Sequence, residues 1–505
     1  MGLGIAAADR REFEAALAEL STAARAASGD HCGGSAPLEP GFAPPEVVRV
    51  VVDAPCFFRR YAPTKTTVTA LSLAQRLCTY AFSLISPRFS TGSVVPEIVV
   101  CFDTQENMPP QRDAVAAKRN PRATPEELEK CRLDPTDARV IVNGRIFAPE
   151  EVPLSDIELD MLDENTSFSF VRAMNSRAGK ERLWRVLERA VIEVFAESVE
   201  PRACVVTVDG PGVGPEAITT LTRTGGDPAE CVVTRRMGPR AVAFGEADQK
   251  VAYVGIRVPS PCPEAATVLV TVDTDLLAQM CILTPQRVPE NSNLFILFLP
   301  HAANRGAGPR FVDCYGFPRD GSGSGIAFLL TLVGSDYTTS LVGCALSPVR
   351  ALEGGLSGIS ECFSLVFGDD DDDRMETADG TAVGTGQIHT GGLLELVCRA
   401  HTQRNPRCVF GFDDRAGEFY ISAAAASAAV PGSRPRKRPR TVADLHFQLK
   451  ETAWLLAYWG FSGLDRTPAA PPALPDDAIL FQTHSPIARF LKSASSFMVP
   501  EVIPI

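Results

Sequence analysis

Val47-Val48-Arg49-Val50-Val51-Val52-Asp53 is the stretch on which the fold turns. A strand with one wet face alternates apolar and polar residues. This one is valine almost throughout, so both of its faces are expected to be covered, as in a parallel sheet with helices on either side. Three later stretches share its character: VVPEIVVCFD (Val94 to Asp103), CVVTVD (Cys204 to Asp209) and TVLVTVDTD (Thr267 to Asp275). Helical signals fall between them. Thr124-Pro125-Glu126-Glu127 is a capping box with Pro at the first helical position. KERLWRVLERAVIEVFAES (Lys180 to Ser198) places Leu183, Leu187, Val191 and Val194 at helical spacing. Strands alternating with helices predict an α/β core with a mostly parallel sheet flanked by helices.

Composition sets the outer bounds. The 505 residues are enough for about three ordinary domains. Forty-five per cent hydrophobic and 22% charged residues describe a globular chain. With 49 Lys and Arg against 61 Asp and Glu, the net charge is −12. That argues against an evenly basic, histone-like binder and against anionic membranes, while leaving room for a local basic patch. The 14 cysteines are scattered without recurring Cys-x-x-Cys pairs or zinc-type Cys/His spacing, as expected of reduced thiols. The N-terminus lacks the apolar core of a signal peptide, and Ala6 stands where a myristoylation signal carries Ser or Thr. The apolar run Gly325 to Gly334 is about half of what a bilayer requires. An intracellular protein with no membrane partner is expected.

The chain divides by texture. Residues 1–45 begin as an amphipathic helix and pass into a Gly- and Pro-rich connector. Residues 46–355 carry the strand–helix pattern, with an insertion at about 120–205. Residues 356–441 hold the acidic run Asp369 to Asp373 and a low-complexity stretch ending in Arg434, Arg436, Lys437, Arg438 and Arg440. That basic cluster suits a nuclear localisation signal or a phosphate contact. Residues 442–505 return to helical, apolar sequence. No internal repeat is present.

Chemistry gathers at the strand ends. Asp53, Asp103 and the pair Asp273 and Asp275 each close an apolar strand. In an open α/β sheet, ligands bind beyond the carboxyl ends of the strands. Carboxylates converging there repel one another unless cations neutralise them, so a divalent metal site is expected. Oxygen-only donors favour Mg²⁺, with Mn²⁺ as substitute, over zinc. Glu246 and Asp248 in GEADQKVA and Asp336 in LVGSDYTT extend the set.

In order and local sequence these motifs resemble the flap endonuclease/XPG-like family of structure-specific 5′ nucleases, within the wider PIN-like fold, and in particular its divergent viral members. VVVDAP resembles the family's first metal aspartate motif, carried onto Asp53. VVCFDTQENMPPQRDAVAAKR resembles the second. It gives Asp103 a metal role and gives Arg112, Lys118 and Arg119 the grip on the scissile phosphate. MGPRAVAFGEADQKVA resembles the motif of Glu246 and Asp248, with Asp248 where the family carries Glu. TVDTDLLA supplies Asp273 and Asp275. GSDYTTSLVGCALSPVRAL resembles the family's Gly-Cys-Asp-Tyr and helix–two-turn–helix element. It gives Asp336 and a duplex-backbone loop from Gly343 through Ser347 to Arg350. The helix of Lys180 to Ser198 falls where the family places mobile helices. Its Arg182, Arg185 and Arg189 then either touch a single-stranded 5′ end or solubilise the helix. Gly2, after Met1, matches the family's N-terminal glycine, a nucleic-acid contact.

The resemblance implies a two-metal, Mg²⁺-dependent 5′ nuclease, both endonuclease and 5′–3′ exonuclease. Its expected partners are DNA flaps, ends or branches arising in replication, repair or recombination. Asp53, Asp103, Glu246 and Asp248 would hold one ion, with Asp273, Asp275 and Asp336 near the other. The expected state is a monomer, and no sliding-clamp peptide ends the chain. Two other readings stay open: an RNA-cleaving nuclease of the same superfamily, and a noncatalytic nucleic-acid-binding scaffold with a decayed nuclease fold.

Overall fold

The computed structural model describes residues 46–63, 66–90, 94–104, 153–198, 203–212, 218–223, 231–236, 245–287, 293–299 and 309–314, and short strands within 140–147, 374–384 and 408–423. In chain order the elements are β1 (Val47–Asp53), α1 (Ala54–Tyr61), α2 (Ala70–Leu84), β2 (Glu97–Cys101), β3 (Val140–Val142), β4 (Arg145–Phe147), α3 (Asp156–Asp160), α4 (Phe170–Ala173), α5 (Arg177–Glu197) and β5 (Cys204–Asp209). They continue with β6 (Ile218–Arg223), β7 (Val232–Arg236), α6 (Ala247–Arg257), β8 (Ala266–Thr271), α7 (Thr274–Arg287), β9 (Leu294–Phe298) and β10 (Arg310–Asp313). Further along, Arg374–Glu376 pairs with Ala382–Gly384, and Cys408–Asp413 with Glu418–Ala423, as antiparallel hairpins.

The four valine-rich runs become four neighbouring strands. The main sheet has the order β10-β9-β8-β1-β2-β5-β6-β7. Strands β9, β8, β1, β2 and β5 run parallel, while β10 joins one edge, and β6 and then β7 the other, by antiparallel pairing. The chain is therefore α/β with a mostly parallel, mixed sheet flanked by helices. Every residue of β1, β8 and β9 is buried, which is why these strands show no polar alternation.

Successive side chains of a strand point to opposite faces, and the core follows that rule. Val50, Val52, Ile98, Val100, Val206, Val208, Val268 and Val270 join one apolar cluster with Leu73 and Leu77 of α2 and Leu183, Trp184, Leu187 and Val191 of α5. By the same alternation Val51, Val99 and Leu269 face the other way, where α6 packs on β1, β2 and β8. There a methyl at Gly255 of α6 would come within 3.1 Å of the Leu269 side chain, so the helix rides close to the sheet. Helix α5 begins at the Ser176 cap, and a methyl at Gly179 would lie 2.3 Å from the Ala173 carbonyl oxygen. Residues 156–197, chiefly through α5, supply much of this core.

Arg49 is the polar interruption in β1, and the structure accounts for it. Its Nε donates to Glu97 Oε2 at 2.7 Å and its guanidinium donates to the carbonyls of Val258 and Pro259. A buried charge is tolerated when fully paired, and here it fastens β1 to β2 and to the end of α6. Among the described residues no helix is long and apolar enough to cross a membrane.

Candidate functional site

The direction of strand addition locates the site. From β1 the chain adds β2 and then β5 on one side, and later β8, β9 and β10 on the other. The reversal lies between β1 and β8, and an open α/β sheet leaves a crevice beyond the strand ends at such a point. Asp53 ends β1, and Asp273 follows β8 by two residues. Around them opens a small cleft, about 20 Å³, lined by Asp53, Asp103, Glu246, Asp248, Asp273 and Asp275 together with Pro55, Cys56 and Arg59. Six of the seven acidic residues expected from the sequence therefore share one cleft.

Local structure presets each carboxylate. Asp53 caps α1, accepting the Cys56 backbone N–H at 3.1 Å, and its other oxygen accepts the Thr271 hydroxyl at 3.2 Å. Asp103, two residues past β2, reaches the first turn of α6 and accepts the Ala247 N–H at 3.0 Å. Glu246 occupies the cap position of that helix but makes no capping bond, so Asp103 does the capping from a different strand. Asp248 accepts the Gln279 side-chain amide at 2.5 Å and its neighbour's backbone N–H at 2.7 Å. Asp273 accepts the Asp275 N–H at 3.1 Å and donates its own N–H to Thr271.

Electrostatics show what the cluster lacks. Burial, followed by repulsion from Asp103, raises the Asp53 carboxyl from 3.8 to about 6. Burial, then Glu246 and Asp53, pushes Asp248 well above the usual carboxylate range. Burial and the neighbouring carboxylates also push the Cys56 thiol up, so it remains a protonated thiol. Hard oxygen donors whose charges oppose one another suit a hard divalent cation such as Mg²⁺ or Mn²⁺, and the protonated thiol offers nothing to a soft one. The donor set fits the group. Among the described residues, however, no three such side chains stand in ready-made chelating geometry. Sharing a cleft and converging on a point differ, and oxygens of Asp53, Asp103 and Asp248 are turned toward backbone amides, Thr271 and Gln279 instead.

Beside the cleft lies a group that strand-end reading passes over. Lys250 of α6 is 1% exposed. Its ammonium donates to Asp209 Oδ1 at 2.7 Å, Thr104 Oγ1 at 3.1 Å and the Gly210 carbonyl at 3.1 Å. It ties the helix bearing Glu246 and Asp248 to the ends of β2 and β5. Asp209 closes an apolar strand just as Asp53 does, and that position was the available signal. Arg59, in the last turn of α1, was also outside the expected set.

The three arginines of α5, read from sequence as either a 5′-end contact or a solubilising face, have partners on the protein itself. Arg182 donates to the Leu162 carbonyl at 3.3 Å, Arg185 pairs with Glu181 at 2.8 Å, and Arg189 pairs with Glu164. None lines the cleft. Their helix is a core layer, with Trp184 fully buried and its ring centroid 6.4 Å from those of Phe102 and of Phe170. Phe58 is likewise buried core, and Tyr61 packs 4.5 Å from Phe57. Gly2, Arg112, Lys118, Arg119, Asp336, Gly343, Ser347, Arg350, the acidic run and the basic cluster fall outside the described residues.

Compared with known proteins, the chain matches no family model and no curated sequence.

Proposed function

We propose that this protein is a divalent-metal-dependent nuclease of the flap endonuclease/XPG-like kind, on a PIN-like core, hydrolysing phosphodiester bonds in flapped, branched or broken DNA. One observation carries the proposal. Six carboxylates, reached from the ends of three parallel strands and the start of one helix, line a single cleft at the sheet's switch point. A turn or cap explains any one of these aspartates, but a shared fold-level position for six asks for a common ligand.

Asp53, Asp103, Glu246 and Asp248 would hold one ion, and Asp273 and Asp275 another, with Asp336 assigned to the second by resemblance. A pair of Mg²⁺ ions held there would supply an activated water and charge stabilisation for the leaving 3′ oxygen. The chain's own part is placement. Backbone amides of Cys56 and Ala247, with Thr271 and Gln279, fix the Asp53, Asp103 and Asp248 side chains at the cleft, and their oxygens would turn from these partners to take an ion. Arg112, Lys118 and Arg119 follow Asp103 in sequence and would grip the scissile phosphate. The segment Gly343 to Arg350 would rest on the duplex backbone.

The test is cleavage of 5′-labelled flap, nicked and blunt DNA, and of RNA, by the full chain in Mg²⁺. Wild type is expected to cut flapped DNA, and Asp103→Ala and Asp273→Ala to lose at least about 100-fold in rate. Equal cutting by all three, or none by any, sinks the reading. Preferential cutting of RNA transfers it to an RNA substrate.

A further inference from the structure

Three residues of α1 face the cleft: Pro55, Cys56 and Arg59. Positions three and four apart share a helix face, so Arg59 lies on the same face of α1 as Cys56 and Pro55. It is the one cation among the residues lining the described part of the cleft, set against six carboxylates. Yet among the described residues no carboxylate lies within ion-pairing distance of it. Its neighbours are committed elsewhere. Arg60 lies over the Tyr61 ring at 5.4 Å, Arg76 donates to the Tyr61 carbonyl at 3.2 Å, and Arg49 is locked in the core.

A half-buried guanidinium that lines an acidic cleft without joining an acid has donors to offer a ligand. Guanidinium is planar, permanently charged and shaped to take two oxygens of a phosphate at once. Carboxylates would repel such an anion, but divalent ions bound by them reverse that sign. We propose that Arg59 is a phosphate-binding residue of the cleft, taking oxygens of a nucleic-acid strand once the carboxylates hold their ions. This rests on the nuclease reading and adds to it an anion subsite on α1, distinct from the basic positions that follow Asp103. Cation and anion then bind cooperatively, each improving the site for the other.

Binding rather than turnover tests the idea. A fluorescent single-stranded 5′ flap on duplex DNA is titrated with the full chain in Ca²⁺ across a series of salt concentrations. Arg59→Gln is expected to bind about tenfold more weakly, and to lower the slope of log affinity against log salt by about 0.7 to 0.9, the contribution of one phosphate contact. Arg59→Lys keeps the charge and is expected to restore the slope but only part of the affinity. A loss of packing alone would not move the slope or respond to lysine. A second arm compares melting temperature in MgSO₄ and MgCl₂ at equal ionic strength, with sulfate as the probe. Sulfate is expected to stabilise wild type and not Arg59→Gln. If flap binding and its salt slope are the same in Arg59→Gln as in wild type, the anion subsite is overturned while the nuclease reading stands. If wild type ignores the flap but sulfate protection still depends on Arg59, the subsite stands and the nuclease reading falls. No sulfate effect together with no flap binding overturns both.

Discussion

Lys250 Nζ lies 2.7 Å from Asp209 Oδ1, and both side chains are almost wholly buried beside the acidic cleft. Two further oxygens, from Thr104 and Gly210, complete the ammonium's partners. One internal cation thus joins α6 to the loops after β2 and β5, and those elements carry Glu246, Asp248 and Asp103.

Removing one member of such a pair leaves a buried charge uncompensated. Lys250→Met is expected to cost about 3–5 kcal/mol of stability, read as a lower denaturation midpoint. Adding Asp209→Leu removes the orphaned carboxylate and is expected to recover most of the loss. A single variant as stable as wild type would show the pair to be incidental.

The Asp53 carboxyl titrates near 6 in the folded, ion-free protein, above its ordinary 3.8, chiefly through burial and then repulsion by Asp103. Between these values the folded state binds more protons than the unfolded chain, so stability falls as pH rises through about 4 to 6. Asp53→Asn keeps the α1 cap and cannot ionise. In EDTA the variant is expected to match wild type near pH 4 and to exceed it by about 1–3 kcal/mol above pH 7. Urea unfolding across this range measures the difference, and a gap independent of pH would contradict the assignment.

Trp184 distinguishes a core layer from a movable cover. Its ring is fully buried and packs on Phe102, the residue before Asp103. Trp184→Ala is expected to cost about 3–5 kcal/mol, the usual toll of emptying a large aromatic site. A helix that swings over the cleft would tolerate the change with little effect on the unfolding midpoint.

These cases also mark what sequence can disclose. The central strands are legible in VVRVVVD and its counterparts because burial on both faces removes polar alternation. The acidic strand ends are legible because a sheet's carboxyl edge is a fixed place. Asp209 is not separable from Asp53 by sequence, since only the approach of Lys250 from α6, 41 residues later, turns it into an ion-pair partner. Arg59 and Arg60 are adjacent in sequence, but the helical turn between them sends one to the cleft and the other to Tyr61. The arginine spacing on α5 is visible, whereas Glu164 and the Leu162 carbonyl, which engage Arg189 and Arg182, come from a loop before the helix.

The central claim is that the six carboxylates act together as a divalent-ion site, and Mn²⁺ binding followed by electron paramagnetic resonance tests it most directly. Wild type is expected to bind about two Mn²⁺ ions, displaceable by Mg²⁺, with Asp248→Asn and Asp273→Asn each losing at least one while remaining folded. Equal binding by wild type and both variants, or no specific binding by wild type, would contradict the account.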